Sequence, residues 1–279
     1  MKLKRLICAF LCVGLCFTAA SQTKKEIRKA RPFYITFGSG HNNVFFQDLA
    51  TSPLKYEGSG SYLTTGMLKK DEDIEAHFQF YHTIANLVPD GSDFGSSLAN
   101  IFGINYTRLY KLDVMNDDAY NLKVGGQFNA IGEFRVNPIL QNNSVGLDAF
   151  VNILATGKLT KDISNKTESK FLFIKMKPKT RELSFRTDIG LYNSQIRNKY
   201  VYTMHSGILG TSPFEDLEYS AFKGFRFMAT LEYISYFPNG NGLSIAHIFD
   251  YAQTKETDQF KMMQSVLRIA LMFSTKSPK

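Results

Sequence analysis

Residues 260–273 read Phe-Lys-Met-Met-Gln-Ser-Val-Leu-Arg-Ile-Ala-Leu-Met-Phe. Met263, Leu267, Ile269, Leu271 and Phe273, with Ser265, occupy the odd positions, while the even positions include Gln264, Arg268 and Ala270. Side chains of an extended chain point alternately to opposite faces, so this segment is a strand with one apolar face and one face that carries a charge. It is also longer than the usual five or six residues of a soluble strand.

Four more stretches repeat the pattern. Leu147, Ala149, Val151 and Ile153 alternate with Asp148, Phe150 and Asn152; Leu183, Phe185, Ile189 and Leu191 alternate with Ser184, Arg186, Asp188 and Gly190. Phe225, Phe227, Ala229, Leu231 and Tyr233 alternate with Arg226, Met228, Thr230 and Glu232; Ile74, Ala76, Phe78 and Phe80 alternate with Glu75, His77, Gln79 and Tyr81. Weaker alternation runs through 102–109, 122–133 and 243–251. Between the segments lie Gly-, Asn- and Asp-rich turns, of which Pro238-Asn239-Gly240-Asn241-Gly242 is the clearest. Further short turns are expected at 69–73, 114–119 and 192–195, and longer connections at 41–56, 87–99, 137–144 and 209–217.

These limits place strands near 33–40, 57–68, 73–86, 99–112, 120–134, 145–157, 168–177, 181–192, 196–207, 219–236, 243–254 and 259–274. The count is about twelve, with ten the alternative if the stretch 158–200 is read differently. Either number is even, which puts both termini on one side of a closed sheet.

The chain begins differently. Lys2, Lys4 and Arg5 precede an apolar run from Leu6 to Phe17, and Ala19-Ala20-Ser21 supplies small residues for cleavage. That is the pattern of a signal peptide over 1–21, which leaves 22–279 as a single domain. Cys8, Cys12 and Cys16 are the protein's only cysteines, so the exported part has no disulfide, no thiol nucleophile and no cysteine metal ligand. No apolar run after Gln22 approaches the length of a membrane helix. With 44% hydrophobic and 21% charged residues, the composition is that of a folded chain. Two classes survive: an exported soluble β-protein and a transmembrane β-barrel.

The chemistry of the second face favours the barrel. Glu75, His77, Lys123, Asp148, Arg186, Asp188, Arg226, Glu232 and Arg268 are expected on that face, mixing both signs of charge with small and aromatic residues. Opposite charges pair across a narrow lumen, whereas a water-facing sheet more usually carries Lys, Thr and Glu. The 24 Phe and 14 Tyr, with no Trp, would supply the interface girdles.

Three features carry a family resemblance: the leader ending Ala20-Ser21 before Gln22, the run Phe46-Gln47-Asp48-Leu49-Ala50-Thr51-Ser52-Pro53-Leu54-Lys55-Tyr56-Glu57-Gly58, and the Asn239-Gly240-Asn241-Gly242-Leu243-Ser244 hairpin. In these the chain resembles an outer-membrane β-barrel family of Bacteroidota-type bacteria. The resemblance implies a Gram-negative outer membrane and carries no activity and no site residues. Such barrels commonly end on an aromatic residue, whereas here Phe273 is followed by Ser274 to Lys279.

Candidate chemistry is sparse. His41, Asp48 and Ser52 share one expected loop and would make a hydrolytic site only by converging at a rim. His205-Ser206 are neighbours that an extended strand points apart. His77 lies beside Glu75 on the lumen face without a second ligand at metal spacing. His82 and His247 are expected on the apolar face near strand ends. Asp71-Glu72-Asp73 lacks the spacing of a calcium loop and reads as a hairpin turn. Gly38-Ser39-Gly40 and Gly58-Ser59-Gly60 lack the following helix of a phosphate loop. Lys24, Lys25, Arg28, Lys29 and Arg31 make a basic arm over 22–31, much of the formal net charge of +8.

The expectation is therefore an all-β antiparallel transmembrane barrel in the outer membrane, with periplasmic termini. It would be a non-enzymatic, porin-like narrow pore or a structural component of an outer-membrane assembly. The alternative is a lipid-processing hydrolase near His41. Outer-membrane lipid and other outer-membrane proteins are the expected partners; no cofactor, no metal and no nucleic acid are expected.

Overall fold

The computed structural model describes residues 31–90, 95–114, 120–165, 169–171, 174–176, 178–197, 217–254 and 259–275. The signal peptide, all of the basic arm but Arg31, the His205-Ser206 pair and most of the expected 196–207 strand lie outside the described residues.

The strands are β1 (Phe33–Asp48), β2 (Ser52–Lys70), β3 (Ile74–Pro89), β4 (Ser97–Lys111), β5 (Tyr120–Val136), β6 (Val145–Asp162), β7 (Ser169–Phe171), β8 (Ile174–Met176), β9 (Arg181–Arg197), β10 (Glu218–Ala221), β11 (Gly224–Tyr236), β12 (Gly242–Thr254) and β13 (Phe260–Ser274). A 3-10 helix, Pro138–Asn143, sits between β5 and β6. Ten strands close an antiparallel barrel in the order β1-β2-β3-β4-β5-β6-β9-β11-β12-β13, and β13 pairs back onto β1. Closure leaves none of these ten as a free edge.

The strand count is thus ten, the lower of the two expected, for two physical reasons. Residues 169–171 and 174–176 pair with each other as β7 and β8, a separate two-stranded sheet. Residues 192–195 are not a turn, because β9 runs through them to Arg197 and a register shift against Ile153 and Leu154 absorbs Leu191. β10 pairs only with β9, beyond the stretch that β11 covers, and Phe222, between β10 and β11, has φ +59°.

The expected 41–56 loop is also strand. β1 continues to Asp48, β2 starts at Ser52, and the link is only residues 49–51. Asn42, Asn43, Ser52 and Pro53 read as loop residues, but they continue the two strands, and Gly58-Ser59-Gly60 lies within β2 as expected, at a close strand approach. A Cβ on Gly60 would collide with the Ile84 carbonyl of β3, a role glycine fills inside strongly bent sheets.

Both barrel ends lie at one rim, the terminal rim, where the Thr275 amide donates to the Phe33 carbonyl at 3.0 Å. The β2–β3 turn at 71–73 and the β11–β12 turn at 237–241 share this rim, the latter with Gly240 at φ +81°. The opposite, distal rim carries the 49–51 link and the 3-10 helix. Short and long links are therefore not cleanly divided between the rims.

The barrel strands run from 13 to 19 residues, more than a tilted crossing of a hydrocarbon layer needs. Their outward positions are apolar and exposed: Phe37 on β1, Leu63 on β2, Phe80 on β3, Ile104 on β4, Phe128 on β5, Ile153 on β6, Phe185 on β9, Leu231 on β11, Ile245 on β12 and Leu267 on β13. Such a continuous belt far exceeds the apolar patches of soluble monomers. No helix among the described residues is long and apolar enough to cross a membrane.

Candidate functional site

The inward phase of the strands builds the site, and it changes character along the barrel. Toward the distal rim, Val44, Phe46, Tyr56, Leu87, Ile101, Ile131, Phe150, Phe260 and Met262 form one buried apolar cluster inside the barrel. Phe150 of β6 stacks on Phe260 of β13 with ring centroids 5.5 Å apart, although the two strands stand four places apart in the ring. Phe46 stacks on Tyr56 at 4.9 Å.

Into this cluster runs an ion network. Arg135 binds Asp48 at 2.9 Å and also pairs with Asp148, while Arg197 reaches Asp48 at 2.8 Å and Asp148 at 2.6 Å. Glu133 lies 3.4 Å from Arg135. Both guanidinium groups lie over aromatic faces, Arg135 at 4.5 Å from Phe46 and Arg197 at 4.6 Å from Phe260. Aromatic faces attract cations through their quadrupole. Carboxylates and rings together fill the space between opposite walls.

The middle of the lumen is polar. Asn105, Asn129 and Asn152 form a ladder across β4, β5 and β6 with bonds of 2.6 and 2.9 Å. A cavity of about 80 Å³ is lined by Glu75, His77, Arg186, Asp188, Glu232 and Arg268, among others. The charges pair: Lys158 with Glu75 at 2.7 Å, Arg186 with Asp188 at 2.8 Å, Arg268 with Glu232 at 2.6 Å, and Arg226 with Asp250. Arg186 also donates to Gln127 of β5.

Toward the terminal rim, Lys70 of β2 pairs with Glu182 of β9, diametrically opposite in the ten-strand ring. Tyr34 and Tyr236 lie beside this bridge, their ring centroids 6.1 Å apart. Beyond it opens a vestibule of about 530 Å³, lined by Lys70, Asp71, Tyr120, Lys123, Asp162 and Glu182, among others.

Of the nine residues expected to line the lumen, the structure brings Glu75, His77, Arg186, Asp188, Glu232 and Arg268 together around the middle cavity. Arg226 pairs with Asp250, itself on that cavity wall; Asp148 belongs to the distal ion network, and Lys123 to the vestibule. Sequence reading missed Asp48, Arg135, Lys158, Arg197 and Asp250. Glu133 and Arg135 lie two and four residues along the inward phase from Ile131, so their spacing signalled them. Asp48 was hidden in the misread loop and Arg197 in the misread strand boundary.

The candidate hydrolytic group does not assemble. His41 lies on β1, exposed, 3.2 Å from Asn43, whereas Asp48 and Ser52 are buried. His82 lies in the middle of β3, not near its end, and stacks on Phe102 at 4.3 Å. His247 lies in the middle of β12, not near its end, on the outer face and 3.0 Å from the Ser265 hydroxyl. Asp71 caps the β2–β3 turn, its carboxylate accepting the Asp73 and Ile74 amides at 2.9 and 2.6 Å. Among the described residues no group of three or more His, Cys, Asp or Glu could hold a metal ion.

No protein-family model matches the chain and no curated protein does, so the family resemblance of residues 46–58 and 239–244 stays a resemblance. Among solved structures, the chain is similar to the outer membrane protease OmpT from Escherichia coli, at 9% identity over 87% of this chain and 95% of that one, with a TM-score of 0.44. It is also similar to the translocator domain of the autotransporter NalP from Neisseria meningitidis, at 9% identity over 92% and 96%, with a TM-score of 0.35. Ail, the attachment invasion locus protein of Yersinia pestis, matches at 8% identity over 87% and 99%, with a TM-score of 0.26. These scores carry nothing about chemistry; the all-β, antiparallel ten-strand barrel rests on its own strand pairing.

Proposed function

We propose that this protein is a closed outer-membrane β-barrel, non-enzymatic and structural, and not an open pore. The observation that carries the reading is the distal filling of the lumen. Phe46, Phe150, Phe260, Arg135 and Arg197, drawn from five strands around the ring, meet in one contact network. An ion entering there would have to part stacked rings and buried ion pairs together. The apolar belt and long strands support insertion in a membrane, and a closed barrel is the β-form that a hydrocarbon layer tolerates. The exposure of His41 and the burial of Asp48 and Ser52 weigh against the hydrolase alternative.

Planar-bilayer recording tests this reading. The reconstituted protein is expected to show no steady conductance, and so is an Arg186→Ala/Arg268→Ala variant, because the distal filling remains. Steady single-channel conductance of the unaltered protein would refute it.

A further inference from the structure

One buried ammonium on the vestibule wall, that of Lys123, makes no ion pair among the described residues. Asp71 pairs with Arg31, Glu72 with Lys111 at 2.5 Å, and Glu182 with Lys70; Asp162 accepts the Ser164 amide at 2.8 Å. Lys123 is different. It is 3% exposed, and its ammonium donates to one group among the described residues, the Asp71 carbonyl oxygen at 2.5 Å. An ammonium has three donors, and a buried charge without a counter-ion is costly. Glu75, deeper in the lumen, gives one carboxylate oxygen to Lys158 at 2.7 Å and acts on Lys123 only from beyond ion-pair distance.

We propose that the vestibule is a binding site for a small organic anion, whose carboxylate or phosphate is received by Lys123. Its volume of about 530 Å³ falls in the range of small-molecule sites. Tyr34, Tyr120 and Tyr236 line it with flat apolar faces and hydroxyls, which suit a ring or a hydroxylated body attached to the anionic group. Asp71, Glu72 and Glu182 on the wall are each paired with a cation, which offsets their repulsion of a bound anion. This goes beyond the closed-barrel reading and does not depend on it, since the vestibule opens at the terminal rim whatever happens at the distal one.

Calorimetric titration of the folded protein in detergent micelles tests the proposal, with D-gluconate, glucose 6-phosphate and inorganic phosphate as probes and glucose as the uncharged control. Gluconate and the phosphates separate carboxylate from phosphate preference. At least one anion is expected to bind, glucose to bind at least about tenfold more weakly, and Lys123→Gln to weaken the anion about tenfold or more. Lys123→Arg is expected to restore much of the loss, and circular dichroism confirms that each variant is folded. Failure of all three anions to bind, equal binding of glucose, or binding unchanged in Lys123→Gln would overturn the site. A silent barrel that binds no anion removes this proposal alone, while a conducting barrel that still binds removes the closed-lumen reading alone.

Discussion

Toward the distal rim, the inward positions of the barrel carry Phe46, Phe150, Phe260 and two arginines locked between carboxylates; toward the terminal rim, the same inward phase carries Lys70, Lys123, Glu182 and tyrosines around an open vestibule. Both halves obey one alternation and both hold opposite charges. They differ in what separates the charges from water. Rings cover the distal arginines, whereas Lys70 and Glu182 sit at the edge of a space of about 530 Å³. The same strands can therefore make a seal at one end and a receptacle at the other.

The distal ion network should give the largest loss. Arg135→Ala leaves Asp48, Asp148 and Glu133 buried with only Arg197 to answer them, at an expected cost of about 3–5 kcal/mol. Urea unfolding of the micelle-bound barrel measures it, and a cost under about 1 kcal/mol would mean that this half is as wet as the other. Phe260→Ala comes next. It removes the ring that faces Phe150, Arg135 and Arg197, with an expected loss of about 3 kcal/mol. It should also make the first leak to ions in bilayer recording; stability lost without any leak would place the seal elsewhere.

Glu75→Gln probes the boundary between the halves. Lys158 loses its 2.7 Å partner but stays beside the middle cavity, so the expected cost is smaller, about 2 kcal/mol by the same unfolding assay. The smallest effect belongs to the exposed Lys111–Glu72 pair at the terminal rim. The Lys111 hydrogen bond and charge hold the Glu72 carboxyl below its ordinary value. Whatever the pair contributes is thus present above the ordinary carboxylate range and lost as pH falls through the lowered value. Lys111→Gln should leave the unfolding midpoint at neutral pH unmoved, and a clear drop would show that this turn anchors the rim.

The fold was largely legible because the period-two signal is long and repeated. Residues 260–273, 145–157 and 225–233 declare both faces, and Gly240 marks its turn by chemistry alone. What stayed hidden was the strand between the glycine runs: residues 41–48 and 52–56, rich in Asn, Ser and Pro, read as one loop, whereas Gly38, Gly40, Gly58 and Gly60 fall inside the expected strands, and at Gly60 a side chain would strike β3. Losing those strands to a loop also moved Asp48 out of the lumen and put His41 beside Ser52. The distal filling was half visible: Phe150 stands in phase with Asp148 and Asn152, a ring among polar neighbours. Its partner Phe260 lies four strands away in the ring, and no local pattern reports such a pairing. Lys123 was placed on the inner face by alternation, but that no carboxylate among the described residues forms an ion pair with it emerges only from the closed ring.

The most direct test of a lumen sealed at one end and open at the other is labelling of single cysteines with a membrane-impermeant maleimide. Cys8, Cys12 and Cys16, the only cysteines in the chain, are replaced by serine. Ala99→Cys reports on the distal filling and Thr160→Cys on the vestibule wall. In the folded, reconstituted barrel the account predicts rapid modification at 160 and protection at 99 until the protein is unfolded. Rapid modification at both positions in the folded state would contradict it.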